Sequence, residues 1–96
     1  MVKGSGPHIL IVEDETALAE LIRYNLAAEG YRLAIAANGE EAETLLAEDT
    51  YDLIILDWML PGMSGLELCR RLRSRDATRA LPVLMLTARG EEDDRV

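Results

Sequence analysis

Two apolar periodicities alternate along this 96-residue chain. Short unbroken runs, His8-Ile9-Leu10-Ile11-Val12 and Leu53-Ile54-Ile55-Leu56 among them, carry the signature of strands covered on both faces. Between them the spacing changes to that of helices. Over Thr16–Glu29, Leu18, Leu21, Ile22 and Leu26 fall on one face, and Gly30 supplies a stop. Asn38 and Glu41 form an N-x-x-E start, after which Ala42, Leu45 and Leu46 make a buried stripe. Ser64 with Glu67 is a second capping box, opening a helix to about Ser74 with Leu68, Cys69 and Leu72 inward. Tyr31–Ala36 predicts a weaker second strand, Tyr51–Asp57 the third, and Leu81–Thr87, with Pro82 near its start, the fourth. Acidic residues over Gly90–Val96 suit a helix N-terminus.

Strands separated by helical segments imply parallel βαβ units with right-handed crossovers. The fold class expected is therefore α/β, a doubly wound parallel sheet. Its physical consequence is that all strand C-termini share one edge. Glu13, Asp14, Asp57 and Thr87 should then meet, although they are scattered in sequence.

Both central runs end in acid: Glu13-Asp14-Glu15 after the first, Asp57 after the third. Open α/β sheets bind ligands beyond the carboxyl ends of their strands. Carboxylates crowded there repel one another, so the cluster fits a hard cation, with phosphate chemistry beside it. Taken singly, each residue has a plainer reading. Asp14 could cap the first helix, Glu15 reads as a helix-start charge, and Thr87 could be a β-branched residue ending a strand.

Composition narrows the partners. Hydrophobic residues make up 49% of the chain, yet Phe is absent and Trp58 stands with only three tyrosines, so the core must be aliphatic. The net charge of −8 disfavours direct contact with nucleic acid or an anionic membrane. No run reaches the ~18 apolar residues of a membrane span, and no signal-peptide pattern appears. Cys69 is the single cysteine, which excludes an internal disulfide and fits a reducing cytoplasm. Residues 1–7 read as a flexible leader and 8–96 as the domain. His8 has no companion ligand, and Arg70, Arg71, Arg73 and Arg75 read as a solvated basic face.

Three ordered motifs carry a family likeness. Ile9-Leu10-Ile11-Val12-Glu13-Asp14-Glu15, Asp57-Trp58-Met59-Leu60-Pro61-Gly62-Met63-Ser64-Gly65 and Val83-Leu84-Met85-Leu86-Thr87-Ala88-Arg89 resemble the receiver domain of bacterial response regulators, in wording closest to the OmpR/PhoB family. The resemblance implies a flavodoxin-like (CheY-like) fold that takes a phosphoryl group from a sensor histidine kinase onto Asp57, rather than a turnover enzyme. It implies Mg²⁺ held by Asp14, Asp57 and the backbone carbonyl of Met59, with Glu13 helping through water. Thr87 matches the switch hydroxyl. The small Ala88 leaves room for phosphate, and its N–H is placed to donate to it.

A complete receiver of this family continues through a further helix, strand and helix, and its last strand supplies a phosphate-binding lysine. Here Lys3 is the only lysine. The expectation is a receiver incomplete at its C-terminus. It should keep Mg²⁺ binding, be impaired in holding phosphate, make no DNA contact itself and self-associate through an exposed fourth strand. Two rival readings differ in class. A haloacid-dehalogenase-type phosphatase also uses a strand-end Asp with Mg²⁺, but requires a second Asp where Met59 sits. A receiver-like association module would bind a partner without phosphotransfer, which the Asp14–Asp57–Thr87 set argues against.

Overall fold

The computed structural model describes residues 6–86. The elements follow in the order β1 (His8–Val12), α1 (Thr16–Ala27), β2 (Arg32–Ala36), α2 (Gly39–Glu48), β3 (Leu53–Asp57), α3 (Gly65–Arg73) and β4 (Val83–Leu86). The strands form one sheet in the order β2-β1-β3-β4, with every pairing parallel. This is the doubly wound parallel architecture that the alternating periodicities predict.

Register follows from burial. All five residues of β1 are buried, and β3 is buried from Ile54 to Asp57, so both are central strands shielded on two faces. Leu10, Val12, Ile54 and Leu56 point to one face, where they pack with Ala36, Ala42 of α2, and Leu68 and Leu72 of α3. Period-2 alternation sends Ile9, Ile11 and Ile55 to the opposite face, where α1 lies against β1 and β2.

Both predicted N-caps form, but only the one at Asn38 is reciprocated by its acid, since the Glu67 carboxylate is taken by Arg70 and Arg71. The Asn38 side chain accepts from the Glu41 N–H at 2.9 Å, and Glu41 returns a bond to the Ala37 N–H at 2.8 Å. The Ser64 hydroxyl accepts from the Glu67 N–H at 3.1 Å. Such caps satisfy N–H groups that a helix start leaves orphaned, at about 1 kcal/mol each. Pro82 lacks an N–H and stays outside β4, but its carbonyl still accepts from the Ile54 N–H at 3.0 Å.

Two details depart from the sequence reading, and a third was not legible in it. α1 ends at Ala27 rather than Glu29, and the chain reverses through Gly30 at φ +96°. Leu21, expected on the buried face, is 58% exposed. At about 100° per residue, Leu18, Ala19, Ile22 and Leu26 fill one arc of α1 while Leu21 lies well outside it. His8 belongs to β1 and is buried: its ring stacks on Tyr51 with centroids 4.1 Å apart, and Nδ1 lies 2.9 Å from the Thr50 carbonyl.

Candidate metal centre

The parallel register brings the two acidic strand ends together. Val12 pairs with Leu56, so the next residues, Glu13 and Asp57, emerge side by side at the C-terminal edge of the sheet. Glu13 is held to the sheet by its N–H, which donates to the Ala36 carbonyl at 2.9 Å. Both carboxylates are buried, 4% exposed for Glu13 and 8% for Asp57, while Asp14 is exposed. One carboxylate oxygen from each of the three lies within 4.8 Å of the others. The juxtaposition expected from topology alone is therefore present for Glu13, Asp14 and Asp57. Thr87 and Ala88, with Arg89, lie outside the described residues.

Backbone amides aim these acids. The Glu15 N–H donates to Glu13 Oε2 at 3.0 Å, which accounts for Glu15 as a backbone donor at the helix start. The Met59 N–H donates to Asp57 Oδ1 at 3.2 Å and so fixes the direction in which Oδ2 faces. The loop after Asp57 is anchored on both sides. The Trp58 N–H donates to the Leu86 carbonyl at 3.1 Å, and the Trp58 carbonyl accepts from the Gly65 N–H at 2.9 Å. Trp58 and Met59 are 46% and 57% exposed, forming an apolar rim around an acidic floor.

Electrostatics mark the cluster as unfinished. Burial pushes the Glu13 carboxyl above its ordinary value of 4.5 and the neighbouring Asp57 and Asp14 charges push the same way, against the lowering effect of the Glu15 N–H bond. Among the described residues no Lys or Arg pairs with any of the three acids. A cation would relieve both burial and repulsion. Mg²⁺–oxygen bonds of about 2.1 Å set opposite ligands about 4.2 Å apart. A set of oxygens within 4.8 Å accommodates that ion, with one carboxylate reached through water. The donor set, all hard oxygen, fits magnesium.

Sequence reasoning missed the partners of the basic cluster that begins in α3. Arg70, Arg71, Arg73 and Arg75 are exposed, as the solvated-face reading expects, and each also has a partner on the surface. Arg71 and Arg75 pair with Glu43 of α2 at 3.4 and 3.0 Å, and Arg70 pairs with Glu67 at 2.7 Å. Arg73 instead donates to the carbonyls of Thr78, Arg79 and Leu81, closing the loop into β4. A run of four arginines among acids three and four residues away was the available signal.

A parallel sheet with three acids converging beyond two adjacent strand ends defines an α/β module with a candidate cation site at the carboxyl edge of its sheet. The chain belongs to the response regulator receiver domain family, whose pattern matches residues 9–96. It is 61% identical over 90 residues to the phosphate regulon transcriptional regulatory protein PhoB of Rhizobium meliloti strain 1021, a match covering 94% of this chain and 40% of that protein. The chain thus spans about two-fifths of the length of that relative. The receiver domain of a sensor histidine kinase from Pseudomonas aeruginosa PAO1, with a magnesium ion coordinated in its active-site cleft, superposes at TM-score 0.83 and 33% identity, over 88% of this chain and 69% of that one. The response regulator TrrA from Thermotoga maritima, in complex with Mg²⁺ and BeF, superposes at TM-score 0.81 and 39% identity, over 88% and 71% of the two chains. No described helix is long and apolar enough to cross a membrane.

Proposed function

We propose that this domain is the phosphoacceptor of a two-component transcriptional regulator, receiving a phosphoryl group on Asp57 from a sensor histidine kinase in the cytoplasm. An Asp57 carboxylate oxygen attacks the phosphorus of a phosphohistidine. The new P–O bond gives an acyl phosphate, the P–N bond breaks, and the histidine leaves as a neutral imidazole after taking a proton. Phosphoryl transfer of this kind rests on positioning and charge neutralisation. Mg²⁺, when bound, offsets the charge that accumulates as two anionic groups approach.

Asp14 and Asp57, with the Met59 carbonyl, would hold the ion, and Glu13 would reach it through water. The Met59 N–H keeps Asp57 in one orientation. Thr87 as switch hydroxyl and the Ala88 N–H as phosphate donor complete the assignment on family likeness. The likeness to a phosphate regulon regulator supports a transcriptional role for the whole protein. A net charge of −8 leaves DNA contact to other parts of such a protein.

The observation that carries this reading is the convergence of Glu13, Asp14 and Asp57 at one sheet edge with Asp57 buried. Incubation with acetyl phosphate and Mg²⁺ should add one phosphoryl mass that base or hydroxylamine removes, and Asp57→Ala should add none. Equal labelling of the Asp57→Ala chain, or steady release of phosphate from esters without a labelled intermediate, would remove the reading.

A further inference from the structure

We infer that Gly65 is a positioning residue for the acceptor: its missing side chain lets α3 begin directly against the Asp57–Trp58 backbone, and that seat aims the Asp57 carboxylate and the Met59 carbonyl. The inference deepens the phosphoacceptor reading and, for its chemical consequence, rests on it.

Gly65 is buried and is the first residue of α3. A Cβ built on it would overlap the Asp57 carbonyl oxygen and lie 3.0 Å from Trp58 Cα and 3.1 Å from the Trp58 carbonyl oxygen. Every one of those atoms is backbone, so none can rotate away as a side chain would. Gly39 is the instructive contrast. The atoms nearest its Cβ would all belong to the Met63 side chain, with Sδ at 2.9 Å, a flexible thioether that can yield. Gly65 has no positive φ to explain it; among the described residues only Gly30 and Gly62 have one. Close approach is the reason for glycine here.

What the approach touches is the acceptor itself. The Gly65 N–H donates to the Trp58 carbonyl at 2.9 Å, so α3 and the peptide after Asp57 are joined at the point of closest contact. One residue further, the Met59 N–H holds Asp57 Oδ1 at 3.2 Å. A methyl group at position 65 must lift α3 or push the Asp57–Trp58 peptide, and either motion carries the Met59 amide and carbonyl with it. Leu68 and Leu72 are fully buried and pin α3 against the sheet, and Asp57 ends a buried central strand, so neither side yields freely. Misplacing a reacting group by about 1 Å costs on the order of 100-fold in rate. Disturbing the groups that orient metal ligands costs about 10–100-fold in affinity.

The test compares Gly65→Ala with Leu45→Ala, which loosens the core from α2 and leaves the acceptor loop untouched, with an excluded osmolyte in all samples to hold both variants folded. Three readouts are taken on the full chain: backbone amide shifts of Asp57, Trp58 and Met59, Mg²⁺ affinity by calorimetry, and labelling by acetyl phosphate. Gly65→Ala should move those amide shifts, weaken Mg²⁺ about tenfold or more and slow labelling about 100-fold. Leu45→Ala should melt earlier yet keep the shifts and stay within about twofold in affinity and rate. Unmoved shifts with near-native Mg²⁺ affinity in Gly65→Ala, an equal loss in Leu45→Ala, or failure of Gly65→Ala to fold even with osmolyte would each overturn the role. A wild-type chain that takes no phosphoryl group defeats the phosphoacceptor reading alone, because shifts and metal affinity still judge Gly65.

Discussion

The two edges of the sheet use the same residue types to opposite ends. At the N-terminal edge Asp52 accepts from the His8 N–H at 2.8 Å, its own N–H donates to the His8 carbonyl at 2.7 Å, and the His8 ring is sandwiched between Tyr51 and the Thr50 carbonyl. Nearly every polar group there has a partner, and the acids stabilise the fold. At the C-terminal edge Glu13, Asp14 and Asp57 face one another, and burial and the two neighbouring charges oppose the ionisation of Glu13. One edge is built for stability, and the other withholds stability until a ligand arrives, as binding sites do.

That contrast can be broken by experiment. The largest effect expected is on metal affinity. Asp14→Ala should weaken Mg²⁺ about 10–100-fold, read by Trp58 fluorescence, while Asp52→Ala should leave the titration unchanged. Equal midpoints for wild type and Asp14→Ala would dissolve the distinction between the edges. Next comes stability. Asp52→Ala leaves the β1 N–H without its carboxylate and should cost about 1–3 kcal/mol in urea denaturation. At the acidic edge the sign reverses. Glu13→Gln removes a buried charge that its neighbours oppose, and the metal-free domain should gain stability. A loss of stability in that variant would mean the cluster is satisfied without an ion.

The smallest effect sharpens the picture through pH. Because the Glu13 pKa is raised in the folded state, its contribution to stability is full below its ordinary value of 4.5 and is lost as pH rises through the raised value. Without metal, this group makes the domain less stable at neutral than at mildly acid pH. Mg²⁺ competes with that proton. The rise in Tm produced by Mg²⁺ should therefore be largest at neutral pH and shrink on acidification through the raised Glu13 value. Glu13→Gln should flatten that dependence, and an Mg²⁺ effect that grows toward acid would contradict the assignment.

Much of this was legible before any coordinates. Helix starts at Ser64 and Asn38 are written locally, since a capping side chain and its amide partner sit three residues apart. The all-apolar run of β1 and the apolar core of β3, Ile54 to Leu56, announce two-sided burial, and parallel connection then forces their acidic ends to one edge. Leu21 misled because a spacing of three or four residues tolerates flanking positions that the packed arc of α1 leaves exposed. His8 looked idle because its partners, Thr50 and Asp52, lie more than forty residues away in sequence. The basic face after Glu67 is exposed as read, but its pairing with Glu43 was not legible because that acid comes from another helix.

From order and residue type alone come the alternation of strand and helix, the identity of the acids and the edge at which they emerge, because each depends on periodicity and chain direction. How closely the acids crowd, which amides aim them, and why position 65 must lack a side chain depend on distances between segments that only packing brings together. Sequence spacing carries no record of those distances, and they decide whether a cluster of acids becomes a site.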